Sequence, residues 1–461
     1  MKHYIQFKIV LLLTISCTIF GCESFTEVDL PKSQLTADAV YTDGVTATAA
    51  LSDVYARMRE NGVLSGNIDG LTQLMAIYAD ELTFYGTSTS PMHGFFNHSV
   101  IPSNTYLSSL WKNSYSQIYA ANALLEGVKS SPVIRGEQKN RLHGEGLFIR
   151  ALIHFHLVNL YGDIPYITTT DYQTNAKVAR IPKTAVYDKI ISDLIEAKAL
   201  IPESYPTSGR LRPNKSAVRA LLGRVYLYNE QWELAEQESS AVINNKTLYN
   251  PEPNLALAFL KESTSAIWQL HPGVAGANTI EGRSFVFISG PPPITATSDK
   301  LLSAFETGDQ RKLQWLKSVT NGSAVWYHSY KYKQNANTGT SKEYTIILRL
   351  EEQYLIRAEA RTHRNDITNG LQDLNVIRNR ARLPDITAVS QEALLQSILK
   401  ERRVELFTEG GHRWFDLKRT GEAQSVLQPL KPGWQNTQLL IPLPETELIL
   451  NTNLKPQNPG Y

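Results

Sequence analysis

The feature of the sequence that most constrains the fold is a helical spacing of apolar residues that recurs along the chain. In residues 184–200, Val186 and Ile190 are one helical turn apart, and the apolar residues that follow stay on the same face. Residues 46–58 and 107–122 repeat the pattern. An amphipathic helix buries its apolar face against another element, so these segments predict a mainly α-helical protein in which helices pack on helices.

Two later segments show the spacing of a paired-helix repeat. They are residues 216–243, with Leu222-Gly223-x-x-Tyr226 and Trp232-x-x-Ala235, and residues 350–377, with Ala358-Glu359-Ala360 and Leu371. Small residues allow two antiparallel helices to approach, and bulky residues fill the groove between them, which is the pattern of tetratricopeptide repeats. We therefore predict a right-handed, tetratricopeptide-like helical repeat scaffold.

A histidine-bearing stretch, residues 143–166, raises the alternative of a metal or acid/base site. It contains His143, Glu145, His154, His156 and Asp163. On a helix, His154 and His156 project about 200° apart, as do His143 and Glu145, so neither pair converges on one ion. The i, i+4 spacing of metal-binding helices such as HExxH is absent from this stretch. We interpret the stretch as a wall of the scaffold and predict no metal site.

Two parts of the chain lack the helical spacing. Residues 83–106 have no clean period, yet they contain several phenylalanines and tyrosines, which argues against disorder. Residues 246–345 hold proline-rich and Thr/Ser/Asn-rich tracts, with short β-like runs at 265–270, 284–288 and 324–332. The sequence therefore predicts an aromatic loop and a loop-rich second lobe that contains short strands.

The N-terminus has the pattern of a bacterial lipoprotein signal peptide. Lys2 and Lys8 precede an apolar run at 9–20, and Gly21 stands before Cys22. After cleavage Cys22 is the only cysteine left, so the mature chain forms no internal disulfide. We predict that Cys22 is acylated and anchors the protein to a membrane.

Composition excludes several classes of function. Lys and Arg total 46 against 44 Asp and Glu, so no strong positive field points to nucleic acid. The sequence shows no nucleophile elbow, no Gly-rich phosphate loop and no metal-ligand spacing. We therefore predict a protein that is not an enzyme and uses no cofactor.

Motifs spread over nearly the whole chain resemble one family. In chain order they are Gly21-Cys22-Glu23, Asp80-Glu81-Leu82, Trp111, Tyr119-Ala120-Ala121-Asn122, and the segments 144–151, 160–166, 354–360, 401–421 and 457–461. Together they resemble the SusD/RagB family of outer-membrane nutrient-binding lipoproteins from Bacteroidetes. The resemblance implies a lipid-anchored protein on the cell surface that binds a glycan and acts as the lid of a SusC-like TonB-dependent transporter.

The charged segment 401–421 is open to two interpretations, a catalytic cluster or a structural network. Glu401 and Glu405, with Arg402 and Arg403, lie at a helical spacing that favours ion pairs. The two glycines at 410 and 411 end the pattern. We predict a structural network, and the family resemblance agrees because this segment closes the scaffold.

The candidate ligand site follows from the resemblance and from the aromatic residues. Family members stack sugar rings on aromatic side chains that irregular segments expose, while polar groups reach the hydroxyls. The predicted site comprises Phe84, Tyr85, Phe95, Phe96, Asn97, Trp326 and Tyr327. For each of these residues, packing between the lobes is the alternative.

Three other functions stay open at this stage. The nearest alternative is a peptide-binding protein of the same family. The others are a surface glycoside hydrolase, since 44 carboxylates leave room for a catalytic pair, and a protein-interaction scaffold without a small ligand.

The predicted organisation has five parts. They are a signal peptide at 1–21, a tether at 22–45, a first helical part at 46–245 that contains the aromatic loop 83–106, a loop-rich lobe at 246–345, and a helical continuation with the closing segment at 346–461.

Overall fold

The computed structural model describes residues 40–387, 390–431 and 433–461. The predicted signal peptide and the predicted lipidation site, Cys22, lie outside the described residues. Within the described ranges, no helix is both long and apolar enough to cross a membrane.

The described chain is mainly α-helical, as predicted. The helices are α1 (Gly44–Glu60), α2 (Leu71–Tyr78), α3 (Pro91–Asn97), α4 (Thr105–Ser130), α5 (Gly136–Tyr161), α6 (Tyr172–Asn175), α7 (Lys183–Leu200), α8 (Lys215–Tyr228), α9 (Trp232–Ile243), α10 (Ile280–Phe285), α11 (Asp299–Leu302), α12 (Gln310–Trp315), α13 (Leu350–His363), α14 (Ile367–Arg380), α15 (Gln391–Glu405), α16 (His412–Arg419), α17 (Ala423–Leu427) and α18 (Glu445–Leu450).

Six short strands form three antiparallel pairs, and most of them belong to the loop-rich region. They are β1 (Leu82–Phe84), β2 (Ala266–Leu270), β3 (Thr295–Thr297), β4 (Leu316–Thr320), β5 (Val325–Ser329) and β6 (Thr345–Arg349). The pairs are β1 with β3, β2 with β6, and β4 with β5. Because β1 precedes the long helices and β3 lies in the loop-rich region, the first pair joins the two parts of the molecule.

The long helices stack in pairs, as the repeat pattern predicted. Helix α5 packs between α4 and α7, α8 packs on α9, and α13 packs on both α9 and α14. At the α8–α9 contact, a Cβ atom at Gly223 would lie 3.8 Å from the carbonyl oxygen of Ala235. Small residues at these two positions therefore allow the helices to approach closely, which is the role that the repeat signature predicts.

Two of the three histidines of the α5 stretch, His154 and His156, lie in the core, and His143 is half-buried. The Nδ1 atoms of His154 and His156 are each 2.8 Å from the carbonyl oxygen one turn earlier, Arg150 O and Leu152 O. Burial lowers the pKa of both rings to about 3, so they are neutral at pH 7. The ring of His154 stacks on Tyr166 at 3.9 Å, which fits the wall interpretation. Among the described residues, no cluster of three or more His, Cys, Asp or Glu is arranged to hold a metal ion.

The charged segment 401–421 forms a buried ion-pair network, as predicted, but Arg402 and Arg403 do not pair with Glu401 and Glu405 along the helix. Arg402 pairs with Asp416 of the same segment at 2.8 Å, and Arg403 pairs with the distant Asp80 at 2.6 Å. The guanidinium of Arg311, which has no exposed surface, pairs with Glu401 at 2.6 Å and Glu405 at 3.0 Å. Arg349 pairs with Glu405 and with Glu409. Ion pairs that link α12, β6 and α15 fix the closing segment against the loop-rich region, so these charges have a structural role.

Candidate ligand-binding site

The predicted aromatic loop contains a short helix, which the sequence analysis did not predict. Ser90 caps helix α3 by accepting a hydrogen bond from the backbone N–H of Met92, and Pro91 occupies the first helical position. The helix ends at His98, whose φ of 56° is left-handed. Because the helix is anchored at both ends, the side chains of α3 have fixed directions.

Three rings and one amide come together on this helix and on β1. The ring centroids of Phe84 and Phe96 are 6.2 Å apart, and those of Phe84 and His93 are 5.9 Å apart. Asn97 donates from Nδ2 to His93 Nε2 at 2.8 Å, one helical turn away. Tyr85 follows Phe84 and is 41 % exposed. As the next residue along the extended chain, it projects to the side opposite Phe84. We call Phe84, His93, Phe96 and Asn97 the aromatic patch.

Phe95 is not part of this patch, which corrects the sequence-based set. Its side chain has no exposed surface, and its ring lies 6.3 Å from that of Tyr78 in the core. Adjacent residues on a helix project about 100° apart, so Phe96 is only half-buried at the edge of the core where Phe95 is fully enclosed. Phe95 therefore has no surface on which a ligand can stack.

The two predicted residues of the second lobe, Trp326 and Tyr327, lie on opposite faces of strand β5. Successive residues of a strand alternate between its faces. Trp326 packs on a small cluster that contains Phe287 and Ala296, and Ala296 lies opposite Thr83 in the β1–β3 pair. Ala296 and Thr83 share one face of this pair, so Trp326 packs on that face, whereas Phe84 projects from the opposite face. Tyr327 packs against a different core cluster, so the two rings cannot stack on the same sugar.

A cleft of about 330 Å³ adjoins the patch and was not predicted from the sequence. Its lining includes Glu60, Asn67, Arg283, Phe287, Ile294 and Thr295. Phe84 of the patch lies opposite Thr295 of the cleft in the β1–β3 pair, which places patch and cleft side by side. The predicted β-like run at 284–288 is not a strand. Residues 284–285 are the last residues of helix α10, and residues 286–288 form no strand.

The buried Lys431 contacts Phe96 of the patch, and the sequence analysis did not predict this contact. Its Nζ donates to the carbonyl oxygens of Phe96 at 2.9 Å and Ile77 at 3.1 Å, and lies 4.1 Å from the centre of the Phe96 ring. Burial lowers its pKa to about 8. No sequence signal marks this lysine, because it is more than 300 residues away from both carbonyls that it binds.

A second groove, of about 630 Å³, lies on the helical part. Trp111, Tyr115, Tyr119 and Leu450 are among the residues that line it, and Tyr119 is 51 % exposed. Most of its exposed lining is apolar, although Lys112, Ser116 and Glu447 also line it. We take the patch and cleft as the candidate site, because they lie at the irregular segments where the sequence analysis predicts the ligand site.

Fold and site together define a binding protein, in which a helical repeat scaffold positions an aromatic patch and a cleft on a loop-rich region. A family model described as starch-binding associating with the outer membrane matches residues 33–227. The SusD family model matches residues 308–461. The chain belongs to the SusD/RagB family, which confirms the resemblance drawn from its motifs.

Relatives match along the whole chain. The chain is 28 % identical to SusD-like protein P2 of Formosa agariphila, with 100 % of both chains covered, and 24 % identical to SusD-like protein P25 of the same organism, with 95 % of each covered. A SusD superfamily structure from Bacteroides vulgatus has a TM-score of 0.80 at 20 % identity and covers 91 % of this chain and 99 % of its own. A laminarin-binding SusD-like protein has a TM-score of 0.76 at 25 % identity and covers 90 % of this chain and 99 % of its own.

Proposed function

We propose that this protein binds a glycan at the cell surface and delivers it, without cleaving it, to a SusC-like TonB-dependent transporter of the outer membrane. The observation that supports glycan binding is the aromatic patch, in which Phe84 and Phe96 present apolar rings while Asn97 and His93 present hydrogen-bonding groups beside them. The C–H face of a pyranose stacks on an aromatic ring, and its hydroxyls bind at the rim of the ring.

The patch is suited to modest affinity. By analogy with aromatic pairs, each stacked ring adds about 1 kcal/mol beyond the area that it buries. Two or three rings, with a few hydrogen bonds, give binding that is reversible on the timescale of transport. A protein that passes its ligand to a partner needs this property.

The family and one relative support a glycan over other ligands. One matching family model is described as starch-binding, and a structure of the same fold is described as laminarin binding. The nearest alternative ligand is a peptide, and the two remaining alternatives are hydrolysis of a glycan and a scaffold role without a ligand.

The binding experiment uses the soluble chain that begins after Cys22. A glycan and peptide array identifies the ligand class, and titration calorimetry then compares Phe84→Ala, Phe96→Ala and Trp326→Ala with Tyr172→Ala. Tyr172 is a matched control, because it is 74 % exposed but lies on α6, outside the patch. We expect each of the first three variants to weaken binding about fivefold, which corresponds to about 1 kcal/mol, and the control to bind normally.

Three results contradict the proposal. If Phe84→Ala, Phe96→Ala and Trp326→Ala all bind normally while Tyr119→Ala loses binding, the site is the apolar groove. If the chain binds peptides and no glycan, its ligand is a peptide and not a glycan. Shortened products after incubation with a polysaccharide indicate an enzyme.

The anchor and the partner are tested separately in cells. We expect Cys22→Ala to shift the protein from the outer-membrane fraction to the soluble fraction, because a single thiol provides the acylation site. We expect a large outer-membrane barrel protein to co-purify with the wild-type chain in mild detergent. A membrane-bound Cys22→Ala variant, or purification of the wild-type chain without such a partner, contradicts this part of the proposal.

A further inference from the structure

Nearly all the arginine side chains have a hydrogen-bond or ion-pair partner among the described residues. Every arginine except Arg283 and Arg382 has a side-chain hydrogen bond or ion pair with another described residue. Arg382 is exposed in the turn after α14 and lines none of the cavities described above. Arg283 on α10 is also exposed, but it lines the cleft beside the aromatic patch.

The surroundings of Arg283 provide little negative charge to neutralise it. The carboxylate that lines the cleft, Glu60, is already paired with Arg59 at 2.5 Å. The neighbouring Glu281 is buried and accepts a hydrogen bond from Thr345 Oγ1 at 2.8 Å, away from the cleft. Residues 83–106, which include the patch, contain no Asp, Glu, Lys or Arg.

The remaining walls of the cleft fit a sugar ring. Phe287, Ile294 and Thr295 present apolar surface, and Asn67 donates its Nδ2 to the carbonyl of Glu60, which leaves its amide oxygen free to accept a hydroxyl. A volume of about 330 Å³ is at the lower end of the range for small-molecule sites. The cleft therefore has the size and lining for a short part of a glycan chain that continues over the patch.

We infer that the cleft binds the anionic group of an acidic glycan, a uronate carboxylate or a sulfate ester, through the guanidinium of Arg283. This inference rests on the proposed function and specifies its substrate class. A guanidinium offers a planar fork of N–H donors that matches the paired oxygens of a carboxylate or a sulfate. A carboxylate partner within the protein would occupy this fork. Arg283, which lines the cleft, has no such partner among the described residues.

The test is titration calorimetry of the soluble chain with three probes. They are a laminari-oligosaccharide, which is neutral, an oligogalacturonate, which is a uronate, and a chondroitin sulfate oligosaccharide, which contains a sulfate ester. We expect one or both acidic probes to bind about tenfold more tightly than the neutral one in 50 mM NaCl, and this preference to shrink in 500 mM NaCl. Preference for the uronate or for the sulfated probe identifies which anion is recognised.

Two variants assign the preference to the cleft. We expect Arg283→Gln to abolish the advantage of the acidic probe, a loss of about tenfold, while affinity for the neutral probe changes little. Arg382→Gln, which removes the other unpaired arginine, should retain the full preference. Equal affinity for neutral and acidic probes, no binding of either acidic probe, or an unchanged preference in Arg283→Gln overturns the inference.

Phe96→Ala separates this inference from the proposed function. If Phe96→Ala weakens binding of the neutral probe while Arg283→Gln has no effect on any probe, glycan binding at the patch stands and the acidic specificity fails. If neither Phe96→Ala nor Trp326→Ala affects any probe, the proposed site itself fails.

Discussion

The indole ring of Trp326 lies directly on Gly290. A Cβ atom at position 290 would be 2.1 Å from ring atom Cζ3, a distance at which real atoms overlap. Glycine at this position therefore sets how deeply Trp326 sits against Phe287 and Ala296.

Substituting Gly290 with alanine should displace the Trp326 ring. We expect Gly290→Ala to lower the free energy of unfolding by about 1–3 kcal/mol, the usual cost of overpacking, and to weaken glycan binding as much as Trp326→Ala does. Gly339→Ala is the matched control, because a Cβ atom there meets no atom within 4 Å. Chemical denaturation and calorimetry check both quantities; normal binding by Gly290→Ala would exclude Trp326 from the site.

Loss of the buried ammonium of Lys431 should loosen helix α3. In Lys431→Met the carbonyls of Phe96 and Ile77 lose their donor, while the length of the side chain is nearly kept. We expect faster amide hydrogen exchange in α3 and glycan binding that is about fivefold weaker, equivalent to about 1 kcal/mol. Lys177→Met, at an exposed position, should change neither. Unaltered exchange in α3 would mean that Lys431 does not hold the patch.

Glu81 should make stability fall as the pH rises. It is buried, and burial raises its pKa to about 8 from the ordinary 4.5. Between pH 4.5 and pH 8 the folded protein therefore binds more protons at Glu81 than the unfolded chain does. The free energy of unfolding consequently falls as the pH rises from 4.5 to 8. Because glutamine does not ionise, Glu81→Gln should become progressively more stable than the wild type from pH 5 to pH 9, on a scale of about 1.4 kcal/mol per pKa unit.

Urea denaturation at pH 5, 7 and 9 measures this difference. Glu262→Gln is the control and should show no such trend, because the Glu262 carboxylate is exposed and its ion pair within the described chain is with the surface residue Lys261. A constant difference between Glu81→Gln and the wild type across the range would show that Glu81 is ionised throughout.

Removal of Arg311 should destabilise the closing segment more than any surface charge does. Arg311→Met leaves Asp309, Glu401 and Glu405 buried without their shared cation. We expect a loss of about 3–5 kcal/mol, because Asp309 is left buried without an ion-pair partner among the described residues. Glu401 and Glu405 keep their other arginines, Arg378, Arg349 and Arg380. Lys400→Met removes a cation that is 52 % exposed and should cost less than about 1 kcal/mol. Thermal and chemical unfolding compare the two; similar small losses would argue against a structural network.

The helical scaffold could be predicted because its signal is local. The spacing that places Val186 and Ile190 on one face acts within two turns of a helix, and both residues are buried on α7 as expected. The pairing of Gly223 with Ala235 follows from the repeat pattern in the same way. The motifs that identify the family are likewise continuous stretches of sequence.

The candidate site could be predicted only in part, because exposure is not a local property. The sequence locates Phe95 and Phe96 in the same aromatic loop, but only packing in the folded core, including the contact with Tyr78, buries the first ring and leaves the second half-buried. Likewise, Trp326 and Tyr327 are adjacent in sequence and are separated by the alternation of a strand whose existence depends on its pairing with β4.

Sequence by itself determined the class of this protein: a helical repeat scaffold of the SusD/RagB type with aromatic residues on its irregular segments. Tertiary structure decided which of those rings are exposed. It also identified Arg283 as a cation of the cleft that has no side-chain partner among the described residues. The physical reason is the range of the interactions. Helical spacing is set by neighbours within a few residues, whereas burial and ion pairing depend on partners as distant as Arg224 and Glu352, which meet only after the chain has folded.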